Sequence, residues 1–260
     1  MHAREIPRKL LSRLGYRIEP VPRAAHLERS HPDLDATFAA VHARCAPFTM
    51  TTVERMYALW QGVRHVCRGG VRGDLVECGV WRGGSSMAAA LTLGQEGDEQ
   101  RRLWLYDTFA GMSEPGERDV TFDGMSARDN WQSISTTPGD PTMAAATLDE
   151  VQRNMASTGI AAERVEYVRG PVEQTIPASV PERIALLRLD TDWYESTRHE
   201  LEHLWERLEP GGVLIVDDYG HWTGAREAVD EFFAGRPDAP LLARVDYTGR
   251  IGVKTASAPG

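Results

Sequence analysis

From Gly73 onward, short and nearly continuous apolar runs alternate with amphipathic stretches, and this alternation constrains the fold more than any other feature of the sequence. A strand that is covered on both faces reads as an unbroken apolar run. Such runs, separated by helical segments, are typical of βαβ units and a parallel sheet. We therefore predict buried strands at residues 75–78, 103–106, 165–168, 184–189 and 213–216.

Helical periodicity fills the intervals between these strands. We predict helices at residues 85–93, 148–156, 194–208 and 225–233, and another that starts at a capping box in residues 51–54 and ends near Arg68. The segments 241–245 and 251–254 surround a turn and predict a closing antiparallel hairpin. The expected fold is therefore α/β, with a doubly wound, mostly parallel sheet of seven strands.

Two segments depart from this regular pattern. Prolines interrupt the helical pieces near the N-terminus, so we predict an N-terminal helical appendage at residues 1–50 and the main domain at residues 51–260. Residues 108–143 contain several glycines and show no clear period. A long irregular loop in a compact domain is usually a binding element, so we predict a lid that becomes ordered when ligands bind.

Charge and composition exclude several classes of protein. The net charge of −9 disfavours attraction to a phosphate backbone, so we expect no nucleic-acid partner. The sequence has neither an apolar run long enough for a membrane span nor a secretory signal, so we expect a cytoplasmic protein without a membrane partner. Cys45, Cys67 and Cys78 form no C-x-x-C pair and predict neither a disulfide framework nor a zinc knuckle.

The first predicted strand runs into a glycine turn that opens a helix. From Glu77 the spacing is E-x-G-x-x-x-G, which differs from the G-x-G-x-x-G of dinucleotide-binding folds. Helix N–H groups at such a turn bind an anionic group, and this spacing favours a carboxylate over a pyrophosphate. Asp107 ends the second strand, 30 residues after Glu77, where it is placed to bind ribose hydroxyls. S-adenosylmethionine carries both a carboxylate and a ribose.

Four aspartates follow two neighbouring strands, Asp190 and Asp192 after the fourth and Asp217 and Asp218 after the fifth. Because the carboxyl ends of parallel strands meet at one cleft, the four acids should converge there. Like charges repel unless a cation holds them, and oxygen ligands favour Mg²⁺, Mn²⁺ or Ca²⁺ over zinc. The alternative is that Asp190 and Asp217 only cap the helices that follow them. His221 either reaches this cleft or remains a loop histidine.

Residues 199–203 read H-E-x-x-H, a pattern that on a helix can mark a zinc peptidase. At about 100° per residue, His199 and His203 fall opposite the apolar face formed by Leu201, Leu204 and Trp205. The histidines therefore point away from the core, on a helix face without a cleft. We do not expect a zinc peptidase.

Four motifs occur in a defined order: LVECGVWRGGSS at 75–86, LYDTF at 105–109, LRLDTDWYEST at 187–197 and GGVLIVDDYG at 211–220. Together they resemble the macrocin O-methyltransferase (TylF-like) family. The resemblance spans roughly residues 49–254 and leaves residues 1–46 outside it. It implies a class I methyltransferase (Rossmann-like) fold that uses S-adenosylmethionine and Mg²⁺ to methylate a hydroxyl, commonly on a deoxysugar of a bacterial natural product.

The resemblance also implies roles for individual residues. Asp190, Asp217 and Asp218 match metal ligands, and Asp192 matches the general base. The positions that match cofactor contacts are Glu77, Gly79, Ser85 and Asp107, with Gly170 and Val172 beside the adenine. The implied partner is a sugar-containing small-molecule acceptor, and we expect the protein to form a homo-oligomer.

Three other functions stay open. A phenol or catechol O-methyltransferase can use the same cofactor domain, and Phe109, Phe122 and Trp131 could stack on a sugar face or on an aromatic ring. An NAD-dependent dehydrogenase is disfavoured by the glycine spacing, and a catalytically silent binding protein is disfavoured by the acid cluster. The resemblance does not fix the acceptor, because such enzymes vary in the segment that corresponds to residues 111–143.

Overall fold

The computed structural model of the chain describes residues 31–134 and 145–256. Its strands are β1 (Asp74–Cys78), β2 (Leu103–Asp107), β3 (Val165–Arg169), β4 (Ile184–Leu189), β5 (Leu208–Val216), β6 (Ala243–Arg244) and β7 (Arg250–Val253). They form one sheet in the order β3-β2-β1-β4-β5-β7-β6. The first five strands are parallel, and β7 pairs antiparallel with β5 and β6. The predicted mostly parallel seven-stranded sheet with its closing hairpin is confirmed.

The α-helices of the described residues are α1 (Ala36–Cys45), α2 (Val53–Arg68), α3 (Gly84–Gln95), α4 (Ala127–Ile134), α5 (Leu148–Ala156), α6 (Val172–Thr175), α7 (Tyr194–Leu204) and α8 (Thr223–Phe233). The N-cap of α2 is Thr52, one residue after the threonine that starts the predicted capping box, and its hydroxyl accepts the Arg55 N–H. Within residues 31–134 and 145–256, no helix is both long enough and apolar enough to cross a membrane.

The predicted helix at 194–208 is wrong at its C-terminal end. Helix α7 ends at Leu204, a 3-10 turn follows, and β5 begins at Leu208, five residues earlier than predicted. The reason is tertiary pairing. Leu208 lies opposite Ile184 in the ladder between β4 and β5, and the buried Trp205 donates from Nε1 to Asp238 Oδ2 at 2.7 Å. Apolar spacing continues through this turn, so periodicity alone does not mark the end of the helix.

Apolar layers cover both faces of the sheet, as a doubly wound fold requires. On one face, Phe38, Trp60 and Leu93 from the first three helices pack in one cluster with strand residues such as Leu105. On the other face, Leu201 of α7 and Val229 of α8 belong to a second cluster with residues of β4 and β5. The sheet is therefore buried on both sides, which explains its unbroken apolar runs.

Helix α1 lies in the region predicted as an appendage, but it contributes to the main core. Phe38 is fully buried, and its ring centroid lies 5.7 Å from that of Trp60 on α2. The division of the chain at residue 50 stays a prediction. The helical pieces predicted before residue 31 lie outside the described residues.

The insertion at 108–143 is more regular than predicted, because it contains α4. Asp119 holds the part before this helix. Its buried carboxylate accepts hydrogen bonds from the N–H groups of Gly116 at 2.7 Å and Tyr194 at 2.8 Å. Residues 135–144 lie outside the described part of the chain, and the ordering of a lid on ligand binding stays a prediction.

The order of the strands locates the site. The chain proceeds from β1 through β2 to β3 on one side and returns to β4 and β5 on the other, so the order reverses between β1 and β4. In open α/β sheets, ligands bind outside the carboxyl ends of the strands at such a point. The loops after β1, β2, β4 and β5 should therefore open into one binding region.

Candidate active site

A cleft that is partly open to solvent lies at the carboxyl ends of the parallel strands. Nine of the ten predicted site residues line it, together with His221; the nine are Gly79, Ser85, Asp107, Gly170, Val172, Asp190, Asp192, Asp217 and Asp218. The structure thus brings together residues from both halves of the sheet. Their individual roles stay predictions.

Glu77 is the predicted site residue that does not line the cleft. Its Oε1 accepts a hydrogen bond from Arg188 Nη1 at 2.6 Å, and its Oε2 accepts one from the Ser86 hydroxyl. Burial raises the pKa of Glu77, while the Arg188 guanidinium opposes that shift. Both carboxylate oxygens already have protein partners, so direct contact between Glu77 and a cofactor stays a prediction.

Contacts within the chain require the glycines of the turn after β1. Gly79 has φ +85°, and a Cβ there would collide with the backbone carbonyl oxygen of Asp190. A Cβ on Gly84 would lie 2.6 Å from the backbone carbonyl carbon of Phe48. Helix α3 begins at Gly84, and its N-cap residue, Gly83, has no side chain that could cap it. The turn therefore presents helix N-terminal N–H groups to the cleft, an arrangement that binds anionic ligands.

Asp107 ends β2 and borders the cleft, but it also holds two turns. Its Oδ2 accepts the N–H groups of Val80 at 2.7 Å and Trp81 at 3.0 Å, and its Oδ1 accepts that of Phe109 at 2.7 Å. Trp81 and Phe109 have φ values of +48° and +50°, so these bonds stabilise an unfavourable backbone conformation. A carboxylate offers about four acceptor sites, so a ribose hydroxyl would share Asp107 with these backbone groups.

Three aspartates form a cluster at the ends of β4 and β5. One carboxylate oxygen from each of Asp190, Asp217 and Asp218 lies within 4.8 Å of the others. Asp192 lines the same cleft, because β4 ends before the D-x-D motif and Asp192 has φ +67°. Trp222 donates a hydrogen bond from Nε1 to Asp192 Oδ1 at 2.8 Å. Asp192 therefore lies beside the cluster and outside it.

Two arginines compensate the charge of this cluster, and the sequence reasoning missed both. Arg188, whose side chain is 4% exposed, donates to Asp190 Oδ2 and Asp217 Oδ1 at 2.7 Å each. Arg55 of α2 contacts the other Asp217 oxygen. Guanidinium groups therefore supply part of the positive charge that the four acids were predicted to need, and Asp190 and Asp217 do not by themselves require a metal. Arg188 could have been noticed in the sequence, because it is a charged residue within the apolar run of β4. Arg55 could not, because it lies 162 residues from Asp217 in the chain.

The cluster nevertheless has features that suit a divalent cation. Burial raises the pKa values of Asp190 and Asp218 well above the usual range, and nearby carboxylates add to both shifts. Asp217 is also buried, but Arg188 and Arg55 outweigh that effect and lower its pKa. Within the described residues, the buried Asp218 Oδ2 has no hydrogen-bond partner. A carboxylate oxygen in this state fits a hard cation, whose preferred ligands are oxygens.

Asp192 and His221 are the candidate bases in the cleft. Burial raises the pKa of Asp192 to about 7, and repulsion by Asp190 adds to the shift. Burial lowers the pKa of His221 to about 4, and the charge of Arg55 acts in the same direction. His221 does reach the cleft, where its Nδ1 lies 3.4 Å from Tyr247 Oη. Of the two groups, Asp192 has the pKa nearer neutrality.

The H-E-x-x-H side chains of α7 have separate partners. His199 Nε2 lies 2.9 Å from the Ile176 carbonyl oxygen, and His203 Nδ1 lies 2.8 Å from the His199 carbonyl oxygen. Glu200 is fully buried and accepts a hydrogen bond from the Thr191 hydroxyl at 3.0 Å. Glu200 therefore supports the D-x-D loop through its middle residue, a contact that the sequence reasoning did not anticipate.

The sheet and its cleft define a class I methyltransferase fold. The solved structure of the O-methyltransferase NovP matches with a TM-score of 0.70 and 32% identity, over 80% of this chain and 83% of NovP. CalS11, a TDP-rhamnose 3'-O-methyltransferase of calicheamicin biosynthesis, matches with a TM-score of 0.55 and 19% identity over 96% of each chain. The second likeness concerns the fold alone.

The chain belongs to the macrocin-O-methyltransferase (TylF) family, which it matches over residues 3–251. A relative from Streptomyces olivaceus, 8-demethyl-8-(2,3-dimethoxy-alpha-L-rhamnosyl)-tetracenomycin-C 4'-O-methyltransferase, is 32% identical over 254 residues, which are 98% of this chain and 93% of the relative. The predicted family is confirmed, and the chain is an O-methyltransferase. The prediction that residues 1–46 lie outside the family is wrong, because the match begins at residue 3.

Proposed function

We propose that the chain transfers a methyl group from S-adenosylmethionine to a sugar hydroxyl of a small-molecule natural product, with Mg²⁺ at the aspartate cluster. The observation that carries this proposal is the position of Asp192. It lies in the cleft beside Asp190, Asp217 and Asp218 but outside their cluster. Three carboxylates are thereby assigned to a cation, and the fourth to proton transfer.

The names of similar proteins support a sugar acceptor. The relative from Streptomyces olivaceus is named for methylation at a rhamnosyl group, and CalS11 is named for methylation of TDP-rhamnose. A sugar hydroxyl is a poor nucleophile at neutral pH. The site must therefore remove its proton as the new bond forms, which is the task of a positioned general base.

In the proposed reaction, the acceptor oxygen attacks the sulfonium methyl carbon in line. The O–C bond forms as the C–S bond breaks, and the electron pair of the broken bond stays on sulfur. Asp192 takes the hydroxyl proton, and the Trp222 indole N–H fixes the orientation of that carboxylate. The products are a methyl ether, S-adenosylhomocysteine and a proton, which Asp192 later releases to solvent.

Asp190, Asp217 and Asp218 would hold the magnesium ion. When bound, Mg²⁺ supplies positive charge that lowers the pKa of a neighbouring hydroxyl. Arg188 bonds to the first two of these carboxylates and keeps them in fixed positions. The buried Asp218 Oδ2, which lacks a hydrogen-bond partner among the described residues, supports the assignment.

S-adenosylmethionine supplies the methyl group, and we place it on the side of the cleft formed by β1 and β2. Gly79 and Ser85 would contact its amino acid end, and Asp107 its ribose. Gly170 and Val172, which line the cleft after β3, would border the adenine. We further expect the enzyme to act in the cytoplasm. We also expect a homo-oligomer, and light scattering on the purified protein would test this oligomeric state.

The test is methyl transfer from S-adenosylmethionine that carries an isotope-labelled methyl group. The purified chain is incubated with Mg²⁺ and either rhamnosides or catechols, and the products are analysed by mass spectrometry. We expect label on the sugar. If only the catechols carry label, the acceptor class is a phenol and not a sugar. Calorimetry that detects binding of NAD but not of S-adenosylhomocysteine would overturn the proposed donor.

A further inference from the structure

Exposed hydrophobic side chains concentrate at the cleft. The described residues include five large hydrophobic side chains that are exposed, and three of them lie here: Met50 (55%), Phe122 (56%) and Tyr247 (37%). Met50 and Tyr247 line the cleft, and the ring centroid of Phe122 lies 6.3 Å from that of Tyr247. A group of exposed apolar side chains beside a polar site is typical of a ligand-binding surface.

Backbone contacts fix the positions of the two aromatic side chains. The N–H of Phe122 donates to the carbonyl oxygen of His221 at 2.9 Å. The turn that carries Tyr247 is closed by Asp246 Oδ1, which accepts the Thr248 N–H at 2.9 Å. Each ring packs edge-to-face on the His221 ring at a centroid distance of 6.0 Å. The two rings are therefore presented in defined positions while much of their surface stays open.

The path from this surface to the proposed base is short. His221 packs edge-to-face on Trp222 at a centroid distance of 4.8 Å, and Trp222 donates the hydrogen bond to Asp192. Tyr247, His221 and Asp192 line the same cleft. A molecule with one hydroxyl at Asp192 can therefore extend outward over the rings of Tyr247 and Phe122.

The side chains that line the cleft offer little cationic charge for binding a phosphate-bearing acceptor. Among the described residues that line it, six are acidic, and Arg55 is the one Lys or Arg. Arg55 is already paired with Asp217 and Asp246. A diphosphate group is normally bound by cationic side chains or several N–H groups, and this side of the cleft offers an aromatic surface instead.

We infer that the sugar enters this site already attached to an aromatic aglycone, which stacks on Phe122 and Tyr247, and not as a nucleoside-diphosphate sugar. The inference rests on the proposed sugar methylation and specifies its acceptor class. Phe122 and Tyr247 are specificity residues in this arrangement. They contact the aglycone, while Asp192 acts on the reacting hydroxyl.

The test compares three acceptors that contain the same deoxysugar: its methyl glycoside, its naphthyl glycoside and its nucleoside-diphosphate ester. We expect kcat/KM to be highest for the naphthyl glycoside, about tenfold above the methyl glycoside. The difference should lie mainly in KM, because stacking of the naphthyl ring on the two aromatic side chains stabilises the bound acceptor. The nucleoside-diphosphate sugar should be the poorest acceptor. A higher kcat/KM for it than for the naphthyl glycoside would overturn the inference.

Variants of Phe122 make the test specific. Phe122→Ala should lower the ratio of kcat/KM between naphthyl and methyl glycosides by about threefold, since Tyr247 still contributes, whereas Phe122→Tyr should keep it. Leu241→Ala, at an 88% exposed side chain outside the cleft, is the matched control and should keep the ratio. An unchanged ratio in Phe122→Ala would refute the aglycone site while methyl glycoside turnover still upheld the proposed function. If none of the three sugars is methylated, both proposals fail.

Discussion

The two sides of the cleft are built by different means. On the side of β1 and β2, the backbone sets the shape. Gly79 permits close approach of two chain segments, and Asp107 holds the N–H groups of Val80 and Trp81. On the side of β4 and β5, the site consists of side chains, with four aspartates of which Asp190 and Asp217 bond to arginines. Donor binding should therefore depend on backbone geometry, whereas acceptor chemistry should depend on individual charged groups. A change to one charged group should then affect turnover without affecting donor binding.

Removal of divalent cations should produce the largest effect, and on one side of the cleft only. Treatment with EDTA should abolish turnover and Mg²⁺ should restore it, because the cation is assigned to Asp190, Asp217 and Asp218. S-adenosylhomocysteine should still bind, as calorimetry would show, because its proposed contacts lie across the cleft. Full turnover in EDTA after exhaustive dialysis would contradict the metal role, and loss of S-adenosylhomocysteine binding would break the separation of the two sides.

Substitution of the proposed base should give the next largest effect. Asp192→Asn should lower kcat by about 10²- to 10⁴-fold, the usual contribution of general-base catalysis, because the amide cannot accept the proton. Its affinity for S-adenosylhomocysteine and the Mg²⁺ concentration for half-maximal rate should stay close to those of the wild type. Asp217→Asn should instead raise the Mg²⁺ requirement.

The matched control is Asp149→Asn, at an exposed position on α5, which should leave kcat unchanged. Near-normal kcat in Asp192→Asn would assign proton removal to another group, with His221 the next candidate in the cleft. Loss of Mg²⁺ binding in Asp192→Asn would place Asp192 among the metal ligands. Either result would contradict the assignment of Asp192 to proton transfer and of the other three aspartates to the metal.

The fold could be predicted because burial on both faces of a sheet leaves a pattern in the sequence. All six residues of β4 are buried, and the predicted bounds 184–189 match the structure. Where apolar spacing continues through a turn, as from α7 into β5, the pattern does not report the change of element. Tertiary pairing decides such ends.

The candidate site was predictable only where its groups follow strands directly. The four aspartates end β4 and β5, so topology alone places them at one cleft. Partners from distant segments leave no comparable signal. Arg55 reaches Asp217 from α2, and the Glu77 side chain bonds with Arg188 rather than lining the cleft. Sequence position indicates which edge of the sheet a residue occupies, but not which partner its side chain has.

The third prediction concerns the point where the two sides touch, at Gly79 and the backbone of Asp190. Gly79→Ala should lower the free energy of unfolding by about 2–5 kcal/mol, from the left-handed backbone conformation together with overpacking. Gly97→Ala is the control. Gly97 also has a positive φ, of +70°, but nothing lies within 4 Å of a Cβ there, so a loss of only about 1–2 kcal/mol is expected. Equal losses in urea denaturation would show that the contact with Asp190 does not limit the turn.

The smallest predicted effect involves Glu200, which supports the acceptor side through Thr191 and takes no part in the proposed chemistry. Burial raises the pKa of this carboxyl well above the ordinary 4.5. The folded chain therefore keeps a proton that the unfolded chain releases. The stability that Glu200 contributes in its protonated form is fully present below pH 4.5 and is lost as the pH rises toward the folded-state pKa. Glu200→Gln cannot titrate and keeps an oxygen that can accept the Thr191 hydroxyl.

Urea denaturation between mildly acidic and mildly alkaline pH should therefore show Glu200→Gln gaining stability relative to the wild type as pH rises. The steepest gain is about 1.4 kcal/mol per pH unit, which corresponds to one proton. Glu195→Gln, at an exposed position on the same helix, should show no such divergence. Parallel curves for the wild type and Glu200→Gln would mean that Glu200 is ionised in the folded chain. A fall in kcat at unchanged stability would instead show that the D-x-D loop depends on the carboxyl group of Glu200. Glu200 would then have a role in the reaction and not only in stability.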